Sequence, residues 1–454
     1  MDTKISTDFY KSNVLGQRSG LFVLFFTEMW ERFSFYGMRV LLIQFLTAAV
    51  IAGDPLKSGW AWSAEEAGAL YGTYAMMLYL TPIFGGIIAD KYIGSRMAVI
   101  IGAIIMTIGH AAMAFDTTIM FFIGLACLVI GTGFFKPNMP SILGEMYKDL
   151  PEKKDGAYTI FYMGVNAGAF FGMMLCGYVA ETQGWHWGFG LAGIFMLLGT
   201  LQFAFAKPLM GNLGIISKDK DVVAAKAAED KDKRNPFTNL DYILITIVGV
   251  IGFLYAFNDP LSKNGIIDLF SSLDTSFLRG QYIMIIIALI IFIYMLVSRI
   301  LRYDKVVRDR MFAVVLLAFF LIFFFMSFEQ GATSLVLVAR DYIDRTLEGS
   351  ALLTFNIVNG LLTIVPLAII SWVLIKLAVT TWSKIALSNV ILITCFLIIW
   401  GAALWMLSEE FSKDASEITV SWFSTLNSFF IIALASTVSK LWESKYNPSA
   451  AFKY

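Results

Sequence analysis

The sequence predicts an all-α polytopic membrane protein, and three observations carry that prediction. Of 454 residues, 58% are hydrophobic and only 15% charged, with 40 phenylalanines, and a soluble domain of this length needs more polar surface than that. The apolar residues come in blocks near the ~20 that cross a hydrocarbon core about 30 Å thick. The basic residues are distributed unevenly over alternate sides of those blocks.

Taken in order, the start MDTKISTDFY is polar and lacks the short apolar core of a cleavable signal peptide, so insertion relies on the first true span. Six spans are predicted near 21–50, 67–89, 97–115, 119–138, 156–180 and 188–206. A charged stretch over 207–240 reads as a solvated linker between two bundles. Six more spans follow near 241–257, 281–301, 311–339, 350–376, 382–407 and 417–443. With the N-terminus in the cytoplasm, 25 of the 34 Lys and Arg fall on the cytoplasmic side. Six (Lys57, Lys263, Arg279, Arg340, Arg345, Lys413) fall outside, and Arg32, Arg39 and Lys136 lie within spans. That asymmetry fits the positive-inside rule and supports the span count, since one missed span would scramble it. The expected location is the cell inner membrane.

Ionisable groups within a span cost about 2.5–3.5 kcal/mol each on insertion scales, so they are functional hypotheses. The first span holds Glu28, Glu31, Arg32 and Arg39 in EMWERFSFYGMR. At 3.6 residues per turn, positions 28, 32, 35 and 39 stack on one face, flanked by Glu31 and Tyr36. Such a face lines a wet cavity or pairs with other buried charges. Lys136, in GFFKPNMP, and Glu329, in FFFMSFEQG, are the candidate partners. Acids and bases in a site that alternately wets and dries can exchange partners when a carboxylate takes up a proton, which is the chemistry of proton coupling. The competing reading is a static ion network that only holds helices together.

Four ordered stretches resemble one family. Glu28-x-x-Glu31-Arg32-Phe33 resembles the ExxERF signature of proton-dependent oligopeptide transporters, a branch of the major facilitator superfamily. GGIIADKYIGSR (Gly85 to Arg96), FYMGVNAGAF (Phe161 to Phe170) and FEQG (Phe328 to Gly331) resemble its later motifs in order and spacing. The resemblance implies the major facilitator fold and a symporter importing di- and tripeptides by alternating access, with small peptides and membrane lipid as partners and the proton as coupling ion. It implies no other cofactor, no metal and no enzymatic activity, and a monomer is expected. Glu28, Glu31, Arg32 and Lys136 would form the coupling relay. Arg39 and Lys136 would receive the peptide carboxylate, and Glu329 would pair with Arg39 in an outer gate. Tyr36, Tyr71 and Asn166 would line the peptide site. Phe35 stands where the family often has a tyrosine, and Phe325 where it usually has tryptophan, so each keeps an aromatic wall without a polar handle. The same fold carrying another solute (nitrate or a peptide-like metabolite), or a non-transporting peptide receptor, is the alternative.

On this resemblance, 15–206 is the N-terminal six-helix bundle, 207–240 a cytoplasmic linker and 241–302 an accessory hairpin. Residues 311–454 form a partial C-terminal bundle. STLNSFFIIALASTVSKLW resembles the eighth core helix without a gap, with Asn427 as its substrate-facing amide. That leaves core helices at 311–339 and 417–443 and makes 350–407 a second inserted hairpin. An alternative register makes Asn356 the eighth-helix amide. The chain reads as a fragment, with the C-terminal bundle incomplete and the family's tenth-helix glutamate beyond Tyr454.

The remaining features read as structural. His110 packs among small residues of the third span, and His186 sits beside Trp185 and Trp187 in an interfacial aromatic belt. Cys127, Cys176 and Cys395 are buried thiols without metal-ligand spacing. Gly168 and Gly172 form a small-residue helix contact, and Pro82, Pro137 and Pro366 kink helices. Net charge is zero, which gives no support to a nucleic-acid partner, and no phosphate-binding loop or nucleophile–base pair is present.

Overall fold

The structure, a computed structural model, describes residues 9–115, 117–216 and 235–442. Within them nine helical stretches are long and apolar enough to cross a membrane. Each of the twelve predicted spans falls on helix once three cases are allowed for, one being the last span, on the helix Val420–Trp442. The first span, α1 (Ser19–Thr47), carries its four charges, and the 63-residue run α13 (Gly349–Phe411) is two helices meeting at non-helical Ile385.

The chain divides into two compact units. The first contains α1, the second half of α2 (Ala64–Ile88), α3 (Ser95–Met113), α4 (Thr118–Phe135), α5 (Asn138–Met146), α6 (Pro151–Gln183), α7 (Trp185–Phe205) and the short α8 (Lys207–Met210). It also contains α12 (Ser334–Asp341), α13 and α14 (Val420–Trp442). The grouping therefore cuts across the segments read from sequence, because α12 to α14 pack on the N-terminal helices.

Every residue of α1 is buried except Phe35, Tyr36 and Thr47. It packs on α6 and α7, with α13 and α14 also touching it. Small residues make the α1–α6 approach possible. A Cβ built on Gly168 would lie 2.1 Å from the Met29 carbonyl oxygen, and one on Gly172 would lie 2.2 Å from that of Phe33. One turn earlier, Gly164 meets Phe25 in the same way. Three glycines four residues apart thus form a groove for three successive turns of α1. Gly102 and Gly131 bring α3 and α4 together by the same means.

Behind α1, Trp30 stacks on Phe195 of α7 with ring centroids 5.0 Å apart, and Phe396 of α13 meets Trp30 edge-on at 5.5 Å. The two halves of α13 are tied near their turn by the buried pair Thr381 and Asn389. Ser388 donates to the Gln202 carbonyl of α7 at 2.9 Å.

At the end nearest the N-terminus, the two-residue strands β1 (Asn13–Val14) and β2 (Gln17–Arg18) pair antiparallel. Arg18 makes two 2.8 Å bonds to the Asp149 carboxylate and also donates to the Met146 carbonyl. This guanidinium holds the Asp149 carboxyl well below the usual carboxylate range. A depressed folded value contributes stability that is fully present above the unfolded value of about 4 and is lost as pH falls through the folded one. Asp149→Asn is therefore expected to flatten the acid limb of a thermal-melting profile below about pH 4, leaving the neutral region to the remaining contacts.

At the other end, β3 (Thr346–Glu348) pairs antiparallel with β4 (Ala415–Glu417). Arg345 donates to Glu417 at 2.5 Å, and the Val420 amide donates to Glu181 of α6 at 2.9 Å, anchoring α14 on α6. This strand pair was not anticipated. Trp185 is also buried, donating to the Lys57 carbonyl at 2.9 Å. Of the predicted belt, Trp187 is the residue that faces outward.

The second unit contains the start of α2 and a hairpin of α9 (Asn239–Lys263) and α10 (Gly280–Leu301), followed by α11 (Lys305–Glu329). Thr238 and Asp241 form a reciprocal cap at the start of α9. Arg299 of α10 and Arg302, just past its end, close on Asp241 at 3.0 and 2.7 Å. Near the other end, buried Asn258 donates to Gln281 at 3.0 Å. Apolar packing between the two helices thus runs between a polar lock at each end. The span predicted over 311–339 breaks at a single 3-10 turn, Gln330–Ala332, directly after Glu329.

Candidate functional site

The charges of α1 meet as the helical spacing requires. Arg32 Nε lies 2.8 Å from Glu28 Oε1, one turn back, and 2.8 Å from Glu31 Oε2. All three residues are buried, Glu31 to 1% exposure. Two carboxylates share one guanidinium, so the trio carries one negative charge that a proton or a further cation must neutralise. Glu28 Oε2 and Glu31 Oε1 are buried without a hydrogen-bond partner. Buried polar atoms are nearly always bonded, so this pair of carboxylate oxygens leaves the charged turn with unused acceptor capacity.

The glycine groove fixes the trio in place. A Cβ on Gly168 would also reach 2.9 Å from Arg32 Cβ, so the FYMGVNAGAF stretch bears directly on the charged turn. Asn166, in the same stretch, is buried and donates to the Tyr162 carbonyl at 2.9 Å. Further along α1 the Arg32 guanidinium lies 5.6 Å over the Phe35 ring, and that of Arg39 lies 5.6 Å over Tyr36. Phe35 and Tyr36 are themselves edge-to-face at 5.1 Å.

Lys136 follows the last residue of α4, where the helix C-terminus favours a cation. Its ammonium lies 4.6 Å over the Tyr79 ring and within electrostatic reach of Glu31. Pro137 does more than kink the span. It separates α4 from α5, so Lys136 sits at a junction between two helices. In the second unit, Tyr71 donates to Glu329 at 3.0 Å. Phe325 is half-exposed beside Phe324 and Phe328, and Asn427 lies on the exposed side of α14.

The first unit therefore gathers Glu28, Glu31, Arg32 and Lys136, with Tyr36 and Arg39 further along α1 and Asn166 on the adjoining α6. The second gathers Tyr71 and Glu329. Sequence reasoning missed Tyr79, and nothing local distinguishes it from the other tyrosines among 18. The sequence analysis also assigned no role to Phe396, whose contact with Trp30 joins residues far apart in the chain.

Membrane-spanning helices around buried, partly unsatisfied charges define a polytopic transporter-like protein of the major facilitator fold. The chain belongs to the POT family, whose family model, PTR2, matches residues 96–447. It is 35% identical over 356 residues to the peptide transporter YePEPT of Yersinia enterocolitica, covering 77% of this chain and 66% of that protein. It is 32% identical to the uncharacterized transporter YclF of Bacillus subtilis over 80% of this chain and 68% of that one. A solved peptide transporter POT, in complex with sulfate, superposes with a TM-score of 0.62 at 28% identity. That match covers 96% of this chain and 71% of the solved one. The chain thus spans about two thirds of the length of these curated relatives.

Proposed function

We propose that this protein is a proton-coupled symporter that imports di- and tripeptides across the cytoplasmic membrane by alternating access, with its N-terminus in the cytoplasm. The observation that carries this reading is the buried Glu28–Arg32–Glu31 trio, with its surplus negative charge and Lys136 within reach. A proton taken up by Glu31 leaves the trio neutral, with Arg32 balanced by Glu28 alone. The pull of Glu31 on Lys136 then falls, and Lys136 can turn to a peptide carboxylate beside Arg39. Loss of the proton on the cytoplasmic side restores the pull and releases the peptide.

A dipeptide is a zwitterion of nearly fixed length. In the first unit the cations Arg39 and Lys136 suit its carboxylate and Tyr36 and Asn166 its backbone, and in the second Tyr71 and Glu329 offer a phenol and an acid, a set that leaves side-chain choice loose. Two Lactococcus relatives are di-/tripeptide transporters, at 29% and 30% identity. The proton is the only cofactor proposed, and the monomer is the proposed unit.

The test is uptake of labelled dialanine into liposomes holding the full-length protein, with and without an inward proton gradient, beside Glu31→Gln. Accumulation that needs the gradient and vanishes in the variant is the expected result. Absence of uptake under either condition overturns the peptide reading. Uptake indifferent to the gradient and kept by Glu31→Gln overturns the coupling.

A further inference from the structure

Between the two halves of α13 lies an open cleft of about 460 Å³ that the transport reading does not use. Ser371, Leu374, Ala378, Trp382, Phe396 and Trp400 are among its walls. Of the two indoles in its walls, that of Trp400 is already spent, since its Nε1 donates to Ser371 Oγ at 2.9 Å. Apart from the Trp382 indole, the remaining lining is hydrocarbon. From Ser371 to Trp382 the helix rises about 16 Å, close to the ~15 Å depth of one leaflet. The cleft ends near Ile385, where the helices turn, and the charge asymmetry of the chain puts that turn in the cytoplasm.

The mouth is basic. Lys376 and Lys384 are exposed at this end, and no Asp or Glu occurs between Gly349 and Ser408. Neither lysine has an ion-pair partner among the described residues. Lys384 rests 3.9 Å over the Phe9 ring and Lys376 5.9 Å over Trp372, contacts that leave ammonium donors for a further acceptor.

We propose that the cytoplasmic half of α13 binds an anionic phospholipid, with an acyl chain in the cleft and the phosphate at Lys384. An apolar slot of leaflet depth fits hydrocarbon, Lys384 beside the turn selects a negative headgroup, and Lys376, about 12 Å earlier along the helix, adds to the positive field. A transmembrane helix of another protein would fill the slot without needing the lysines.

Native mass spectrometry of the purified full-length protein tests the site, with phosphatidylglycerol and phosphatidylcholine of identical acyl chains titrated separately. Phosphatidylglycerol is expected to be retained preferentially, and Lys376→Gln with Lys384→Gln to weaken its retention about tenfold or more. These lysines are exposed and lie outside the α1 charge cluster, so the double variant folds and keeps proton-driven uptake. Ala378→Trp, which fills the cleft, is expected to reduce retention of both lipids. Equal retention of the two lipids, or undiminished phosphatidylglycerol binding in the lysine variant, overturns the proposal. Unchanged retention in a folded Ala378→Trp protein overturns the placement of the chain.

Discussion

Arg32→Met is expected to abolish the proposed gradient-driven uptake and to cost about 3–5 kcal/mol of stability, the scale for removing one partner of a buried ion pair. The methionine fills much of the same space, so the loss is one of charge. Glu28 and Glu31 are left buried together, with no guanidinium 2.8 Å away. A compensating change separates stability from function. Adding Glu28→Gln to Arg32→Met removes one of the stranded charges and is expected to recover a substantial part of the melting temperature, while uptake stays absent. Recovery of uptake along with stability would make the trio a static brace. Melting in detergent and uptake in liposomes read the two effects on the same preparations.

The second large effect is expected at Gly168. A valine there places its Cβ where the Met29 carbonyl oxygen already stands, 2.1 Å away. The obstacle is backbone, so no rotamer change relieves it, and α1 must move away from α6. Overpacking of this kind costs about 1–3 kcal/mol even where side chains can give way, and here the cost lies above that range. Gly190→Ala on α7 is the control, because nothing lies within 4 Å of its built Cβ. The expected outcome is loss of folded protein on size exclusion for Gly168→Val and a normal profile for Gly190→Ala. Gly168→Ala tests the same contact more gently, and uptake should fall with it because Arg32 rides on the displaced turn.

The helices were legible because the pattern behind them is local. Apolar runs of membrane length are visible in any window, and the charges of α1 stand out because nothing else in such a run is ionisable. The i to i+4 relation of Glu28 and Arg32 needs only helical spacing, and the structure forms it. Contacts set by remote packing were not legible. Thr346 and Glu417 pair as strand neighbours across the whole of α13, and neither flanking segment carries a strand pattern. The placement of Phe396 on Trp30 depends on which face of α13 turns toward α1. Turns were intermediate. A loop was expected between 376 and 382, yet with no Gly or Pro there the chain stays helical until Ile385. The break after Glu329 likewise lay hidden in a run read as continuous. Lys136 was expected as a partner of the α1 acids and lies within electrostatic reach of Glu31, while its surroundings, with α5 beginning immediately after Pro137, were not foreseen.

The enclosure of α1 also bears on how the protein is made. Its four charges would each cost about 2.5–3.5 kcal/mol if the helix faced lipid by itself, yet α1 leaves the ribosome before the helices that cover it. The groove that receives it is on α6, with Gly168 and Gly172 well over a hundred residues downstream. At about 5–20 residues per second, that separation is on the order of ten seconds of synthesis. During that interval α1 lacks the α6 groove that covers it, although Glu28, Glu31 and Arg32 can already pair within the helix. It must wait at the insertion machinery or in a shallow interfacial position, and enter the bilayer as one piece with the helices that follow. The residues proposed to serve coupling in the finished protein thereby bear on the order in which its helices can be committed to the membrane.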